Sequence, residues 1–146
     1  MIKELNKIKD FLLELDYGEL EAPAERDIIC GIIDLSRYES NILISLLPDD
    51  EEHASETEND FIDGQGYKLG ATVTVICRGA EQEKLLERIS DYCELICTSL
   101  DKDCSLNDRF TGSAIGTRKY YIDAGAVENQ MTAVEIPLTL LYEHEY

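Results

Sequence analysis

The fold can be read first from Tyr67-Lys-Leu-Gly-Ala-Thr-Val-Thr-Val-Ile-Cys77, in which an apolar residue occupies every second position. Successive side chains of a strand point to opposite faces, so this spacing predicts a strand with one apolar face. After Arg78-Gly79-Ala80 the apolar spacing becomes that of a helix. The helical positions are Leu85, Leu86, Ile89, Tyr92, Cys93, Ile96, Cys97 and Leu100. An apolar strand face followed directly by an apolar helix stripe predicts a helix packed on a sheet.

The N-terminal part of the chain adds a helix and further apolar segments. Apolar spacing predicts a helix from Ile2 to about Asp16, which ends near Tyr17-Gly18. Segment 27–34 reads as a strand, or as an extended segment around Gly31, and 35–40 reads as a turn. Segment 41–47 reads as a strand that ends at Pro48. The nearly continuous apolar character of both segments indicates burial on two sides, for which a neighbouring subunit is one possible source.

The C-terminal part reads as two strands. The first covers Thr117–Asp123, a turn or loop follows over 124–130, and the second covers Met131–Tyr142. Pro137 lacks a backbone donor, which predicts either an edge strand or a position on an unpaired side. The expected fold is therefore α+β, a single domain over residues 1–146. It has a mixed, mainly antiparallel sheet of four to five strands, with two helices packed on one face.

The charge balance restricts the partners. Thirty-one acidic residues against thirteen basic ones give a net charge of −18. Proteins grip a phosphate backbone by neutralising it with Lys and Arg, so this composition argues against tight binding to nucleic acid. It fits solubility, a basic protein partner, or a passage through which DNA slides without adhering.

Composition also bears on the compartment. No apolar run approaches the roughly 20 residues that span a bilayer, and the N-terminus shows no apolar signal region, so we expect a cytoplasmic protein or one assembled there. The chain has five cysteines, an odd number that suits reduced thiols better than a disulfide framework.

Segment 49–66 reads as an acidic loop. It carries eight acidic residues and no Lys or Arg, and self-repulsion predicts that it is extended. A divalent cation could bind to its carboxylates, but the spacing of an EF-hand is absent and a solvated loop is the favoured reading. The acidic residues are Asp49, Asp50, Glu51, Glu52, Glu56, Glu58, Asp60 and Asp63.

The other candidate cysteines, histidines and glycine-containing segments each have a structural explanation as well as a functional one. Cys93 and Cys97 lie one helical turn apart with Cys104 nearby, but a metal site needs further ligands, and both fall on the apolar helix stripe. His53 lies in the predicted acidic loop and His144 lies at the C-terminal end, so neither is well placed to activate a serine. The glycine-containing segments 64–66 and 112–116 lack the context of a phosphate cradle and read as turns. We therefore expect no catalytic residues, no metal and no cofactor.

Two segments combine basic and aromatic residues: Arg109-Phe110 and Arg118-Lys119-Tyr120-Tyr121. Such combinations occur in single-strand grooves, but in so acidic a chain pairing with acids of a neighbouring subunit is favoured. Arg109, Arg118, Lys119 and Tyr120 are the resulting candidates for a subunit interface. Tyr120 and Tyr121 are predicted to point to opposite faces of a strand, with at least one of them packed.

The order of elements resembles that of the tail terminator, or tail completion ("minor capsid"), proteins of tailed bacteriophages. The resemblance rests on the opening helix that ends in Leu15-Asp-Tyr-Gly18, the Tyr67–Cys77 strand with Arg78-Gly79-Ala80-Glu81, and the helix to Leu100. It also includes the hairpin-like end, Arg118–Ile122 and then Thr132–Tyr142. It covers most of the chain as a pattern of elements, and the acidic loop does not map onto the family.

The resemblance implies a virion structural protein of the tail or neck, assembled in the bacterial cytoplasm. Such proteins cap the tail tube as a ring, commonly hexameric, and form part of the interface at which the head connector joins. The implied partners are copies of the chain, the tube protein and the connector protein, and DNA passes without specific binding. The acidic loop is then a candidate for lining the lumen.

Two other functions are compatible with the sequence. An inhibitor that mimics DNA with its acids is supported by the charge alone. An enzyme that uses Asp or Glu with a bound metal is the least favoured of the three, because acids this abundant point to no particular site.

Overall fold

The computed structural model describes residues 2–53, 66–79, 81–123 and 130–143. Two helices and six strands make up the fold, with short 3₁₀ turns at Glu25–Asp27 and Leu35–Arg37. The helices are α1 (Ile2–Glu14) and α2 (Gln82–Lys102); the strands are β1 (Ile28–Ile29), β2 (Ile42–His53), β3 (Gly66–Arg78), β4 (Gly112–Ile115), β5 (Lys119–Asp123) and β6 (Met131–Glu143).

All six strands form one sheet. Its order is β1-β2-β3-β6-β4, and β5 pairs with β6 on the same side as β4. The β1–β2 pair is parallel, and every other pair is antiparallel. The predicted α+β class and the mainly antiparallel sheet are confirmed, with six strands rather than four to five.

Both helices pack on one face of the sheet, as predicted. The period-two spacing of β3 and β6 places their apolar residues on this face, where α1 and α2 cover them. The side chains buried there include Leu5, Ile8, Phe11 and Leu12 from α1; Leu85, Ile89, Tyr92 and Ile96 from α2; and Leu69, Val73, Val75, Val134, Ile136 and Leu140 from the sheet.

The opposite face of the sheet is covered at one end by segment 31–40. Leu43, Ile76 and Ala133 form a small second cluster there, against which Ile33, Leu35, Tyr38 and Met131 pack. This cover comes from the same chain, so the two-sided burial predicted for segment 41–47 needs no neighbouring subunit. The strand predicted over 27–34 is limited to Ile28–Ile29, because Asp27 ends the first 3₁₀ turn and Ile33 packs on this second face of the sheet.

The predicted end of the second strand was wrong. β2 continues past Pro48 to His53, with a register shift between Pro48 and Asp50, because backbone pairing with β3 extends to Tyr67. Asp49, Asp50, Glu51 and Glu52 therefore belong to a strand and not to an acidic loop. The other predicted loop acids, Glu56, Glu58, Asp60 and Asp63, lie outside the described residues. Gly66 begins β3.

Two further sequence expectations need correction. Segment 112–116, predicted to be a turn, forms β4 over Gly112–Ile115. β6 is not an edge strand, because β3 pairs along one side of it and β4 and β5 pair along the other.

The second position predicted for Pro137, on an unpaired side of the strand, is the one observed. The carbonyl of Pro137 accepts a hydrogen bond from Gly116 N–H at 2.8 Å, on the side of β4 and β5. The nitrogen and the carbonyl of one strand residue point the same way. The missing donor therefore faces the gap between β4, which pairs from Leu138 onward, and β5, which pairs up to Glu135.

Candidate interaction surfaces

The first candidate surface is the β5 edge, the outer side of Lys119–Asp123. No strand in the described part of the chain pairs with this side of β5. Three consecutive large side chains on it keep about half of their surface in contact with solvent: Tyr120 at 52%, Tyr121 at 48% and Ile122 at 51%. An open edge strand with apolar side chains is a template for pairing with another strand.

The two faces of β5 differ. Tyr120 is opposite Val134, on the face that α2 covers, whereas Tyr121 is opposite Ala133, on the other face. The predicted opposite orientation of the two tyrosines is confirmed. Both tyrosines keep about half of their surface exposed, because an outermost strand has a neighbour on only one side.

A buried thiol pair lies behind Tyr120. Cys93 and Cys97 on α2 are both buried, as predicted for packing residues. The pKa of the Cys93 thiol lies below its usual range. The largest cause is a hydrogen bond with Cys97, and hydrogen bonds with Tyr120 and Arg118 lower the pKa further. The hydrogen bond between the two thiols raises the pKa of Cys97, and burial adds to that shift. Arg118 and Tyr120 therefore approach the thiols of α2 from the start of β5.

The second candidate surface is the acidic end of β2, which consists of Asp49, Asp50, Glu51 and Glu52. All four side chains are exposed. β1 pairs only with Ile44 and Ser45, so beyond Ser45 the outer side of β2 has no strand beside it in the described ranges.

Three acids at this end of β2 are oriented by neighbours in the sheet. Thr72 Oγ1 donates to Asp49 Oδ2 at 2.7 Å. The Tyr142 hydroxyl donates to Glu51 Oε2 at 2.7 Å, and burial together with this bond raises the pKa of Tyr142. Lys68 Nζ lies 3.6 Å from Glu52 Oε1. The carboxylates are thus presented from a paired strand rather than from a mobile loop.

Arg109 has a different role from the one predicted. Its guanidinium binds both carboxylate oxygens of Glu14, and Asn107 Nδ2 also donates to Glu14 at 2.9 Å. The acid that pairs with Arg109 therefore comes from α1 of the same chain, and we leave Arg109 out of the candidate interface. Arg118 and Lys119 are exposed at the start of β5, as an interface role requires.

No metal centre is assembled by the described part of the chain. No group of three or more His, Cys, Asp or Glu side chains is placed to hold a metal ion within those residues. A groove of about 460 Å³ beside β4 is lined by Lys68, Cys104, Ser113 and Thr139 among others, and it contains no carboxylate or imidazole. Of the sequence candidates, His53 has no described side chain and His144 lies outside the described residues.

Comparison with known proteins adds no family. No protein-family model matches the chain, and no curated protein matches it either. Within the described ranges, neither helix is both long and apolar enough to cross a bilayer.

Proposed function

We propose that this chain is a non-enzymatic structural protein of a bacteriophage tail or a related tail-like particle. In this role it caps the end of the tail tube as a ring and forms part of the interface to the head connector. It acts in the tail or neck of the virion, after assembly in the bacterial cytoplasm.

The observation that carries the proposal is the open β5 edge. Tyr120, Tyr121 and Ile122 are half exposed on a strand whose outer edge has no partner in the described part of the chain. Apolar surfaces of this kind are buried when subunits assemble. The order of elements, which resembles that of tail terminators, suggests the kind of assembly. The net charge of −18 suits a ring through which DNA passes without adhering.

Electron microscopy of the purified protein mixed with its tube protein tests the proposal. We expect ring-shaped density at one end of each tube. A variant with Ile122→Asp on β5 is expected to lose this density, whereas Leu86→Asp, at an exposed position of α2, is expected to keep it. Tubes that stay uncapped in the presence of the wild-type chain would contradict the proposal.

One observation favours a second candidate, an acidic inhibitor that mimics DNA. A mimic needs carboxylates arrayed on a rigid element, and Asp50 and Glu52 lie two residues apart on one face of β2, about 7 Å from each other. A competition assay against a DNA-binding enzyme separates the two functions. Displacement of DNA by the wild-type chain, but not by a variant with Asp50→Asn and Glu52→Gln, would favour the mimic.

A further inference from the structure

We propose that the β5 edge of one copy pairs antiparallel with the acidic end of β2 of the next copy, so that the sheets of neighbouring subunits become continuous. The inference rests on the proposed self-assembly and names the surfaces that carry it. It also fixes the association as head-to-tail, because two different edges of the chain meet.

The two edges match in charge and in apolar character. The exposed base Arg118 directly precedes β5, and the strand begins with the exposed base Lys119 and continues past Ile122, whereas the outer side of β2 runs from Leu47 to Glu52. Antiparallel pairing places the bases at the start of β5 beside the acids of β2 and places Tyr121, which lies on the same face of the sheet as Leu47, toward that residue. Parallel pairing would instead bring Asp123 to the acids.

The topology selects the same direction without reference to charge. β2, β3, β6 and β5 are successive antiparallel neighbours, so β5 runs opposite to β2. A second copy that is rotated about a ring axis but keeps the same direction along the strands presents β2 antiparallel to β5. A closed ring of such copies leaves neither of these two edges open.

The sheet faces also agree. Lys119 is opposite Glu135, and alternation along β3 and β6 places both on the same face as Asp50 and Glu52. Residues that are directly opposite each other in an antiparallel pair share a face. Lys119 of one copy therefore meets Asp50 or Glu52 of the next if the faces of the joined sheets are continuous.

The charges oppose the pairing of two β2 edges. Two acidic ends of β2 would bring eight carboxylates together (four from each copy). Like charges directly opposite each other on paired strands are destabilising. Pairing of the acidic end of β2 with β5 instead brings opposite charges together, which favours it over the pairing of two β2 edges.

Zero-length carbodiimide crosslinking of the full chain tests the inference. Within one chain β5 and β2 are separated by β6 and β3, a distance of about 14 Å, so a direct amide bond between Lys119 and Asp50 or Glu52 has to join two chains. Mass spectrometry of mixed ¹⁴N- and ¹⁵N-labelled protein identifies such bonds. We expect this crosslink, together with a ladder of oligomers that ends at a closed ring.

Charge reversal provides the matched controls. Lys119→Glu and Asp50→Lys are each expected to weaken self-association by about tenfold or more, and mixing the two variants is expected to restore it, because each supplies the complementary edge for the other. Failure of the mixture to recover would overturn the pairing. A ring that crosslinks through other residues would overturn the inference but leave the proposed function intact. A chain that stays monomeric, even at the end of a tube, would overturn both.

Discussion

At the scale of single residues, Arg78 explains how the second face of the sheet is covered. Its guanidinium donates to the carbonyls of Ser40 at 2.8 Å and Leu35 at 2.9 Å, and also to the carbonyl of Tyr38. These carbonyls belong to the irregular segment 35–40, which has no sheet partner of its own. Hydrogen bonds from one side chain at the end of β3 thus take the place of the backbone hydrogen bonds that a paired strand would make.

Replacement of Arg78 by Ala is expected to lower the free energy of unfolding by about 1–3 kcal/mol, because part-buried carbonyls lose their donors. The control is Arg37→Ala, since the side chain of Arg37 is 81% exposed and pairs with the exposed Asp34. That change is expected to stay within about 0.5 kcal/mol. Urea denaturation compares the two variants, and equal losses would contradict the assigned role of Arg78.

The ion pair between Glu14 and Arg109 predicts a dependence of stability on pH. The bonds from Arg109 and Asn107 lower the pKa of Glu14 from 4.5 to about 2. A carboxyl with a lowered pKa in the folded state stabilises the protein above pH 4.5, and this contribution is lost as the pH falls toward 2. The difference in urea midpoint between the wild type and Glu14→Gln is therefore expected to shrink over that range. A difference that does not change with pH would contradict the assignment.

The cysteines predict a labelling pattern. Cys104 is exposed, whereas Cys77, Cys93 and Cys97 are buried in the core. Iodoacetamide at neutral pH is expected to modify Cys104 first, and to reach the three buried thiols only when urea unfolds the chain. Peptide mass spectrometry reads the sites. Rapid labelling of Cys93 in the native protein would show that α2 does not pack as described.

At the scale of elements, the sequence predicted those strands whose side chains have a buried and an open face. β3 and β6 alternate because α1 and α2 cover only one side, and both were located from that alternation. The acidic end of β2 was missed because its side chains are charged and exposed, so only its backbone pairing with β3 makes it a strand. β4 was missed for a similar reason, since Gly112–Ile115 is held by four backbone pairs with β6.

A comparison between β6 and β5 tests the assignment of core and edge. Ile136 is fully buried at the centre of the sheet, whereas Ile122 is 51% exposed at its rim. Ile136→Ala is expected to cost about 2–5 kcal/mol of unfolding free energy, and Ile122→Ala about 0.5 kcal/mol or less. Chemical denaturation at a concentration that keeps the chain monomeric measures both values. A large loss for Ile122→Ala would mean that β5 is needed for the fold and is not a free edge.

At the scale of the whole molecule, the chain folds around one core, and the open strand edges of its described part include two that differ chemically, the β5 edge and the acidic end of β2. The sequence pointed to Arg118, Lys119 and Tyr120 as interface residues because bases beside aromatics stand out in an acidic chain. It could not show that these residues form an edge, or that the acids at the end of β2 form another. Both facts depend on strand order, which is set by pairing between residues distant in the chain.

Native mass spectrometry of this chain, alone over a series of concentrations and then with its tube protein, tests most directly whether copies of the chain complete each other. We expect one dominant closed oligomer whose mass is a whole multiple of 16.5 kDa. This species is expected to be lost in the Lys119→Glu variant. A particle of 16.5 kDa under every condition, with and without tubes, would show that the copies do not assemble.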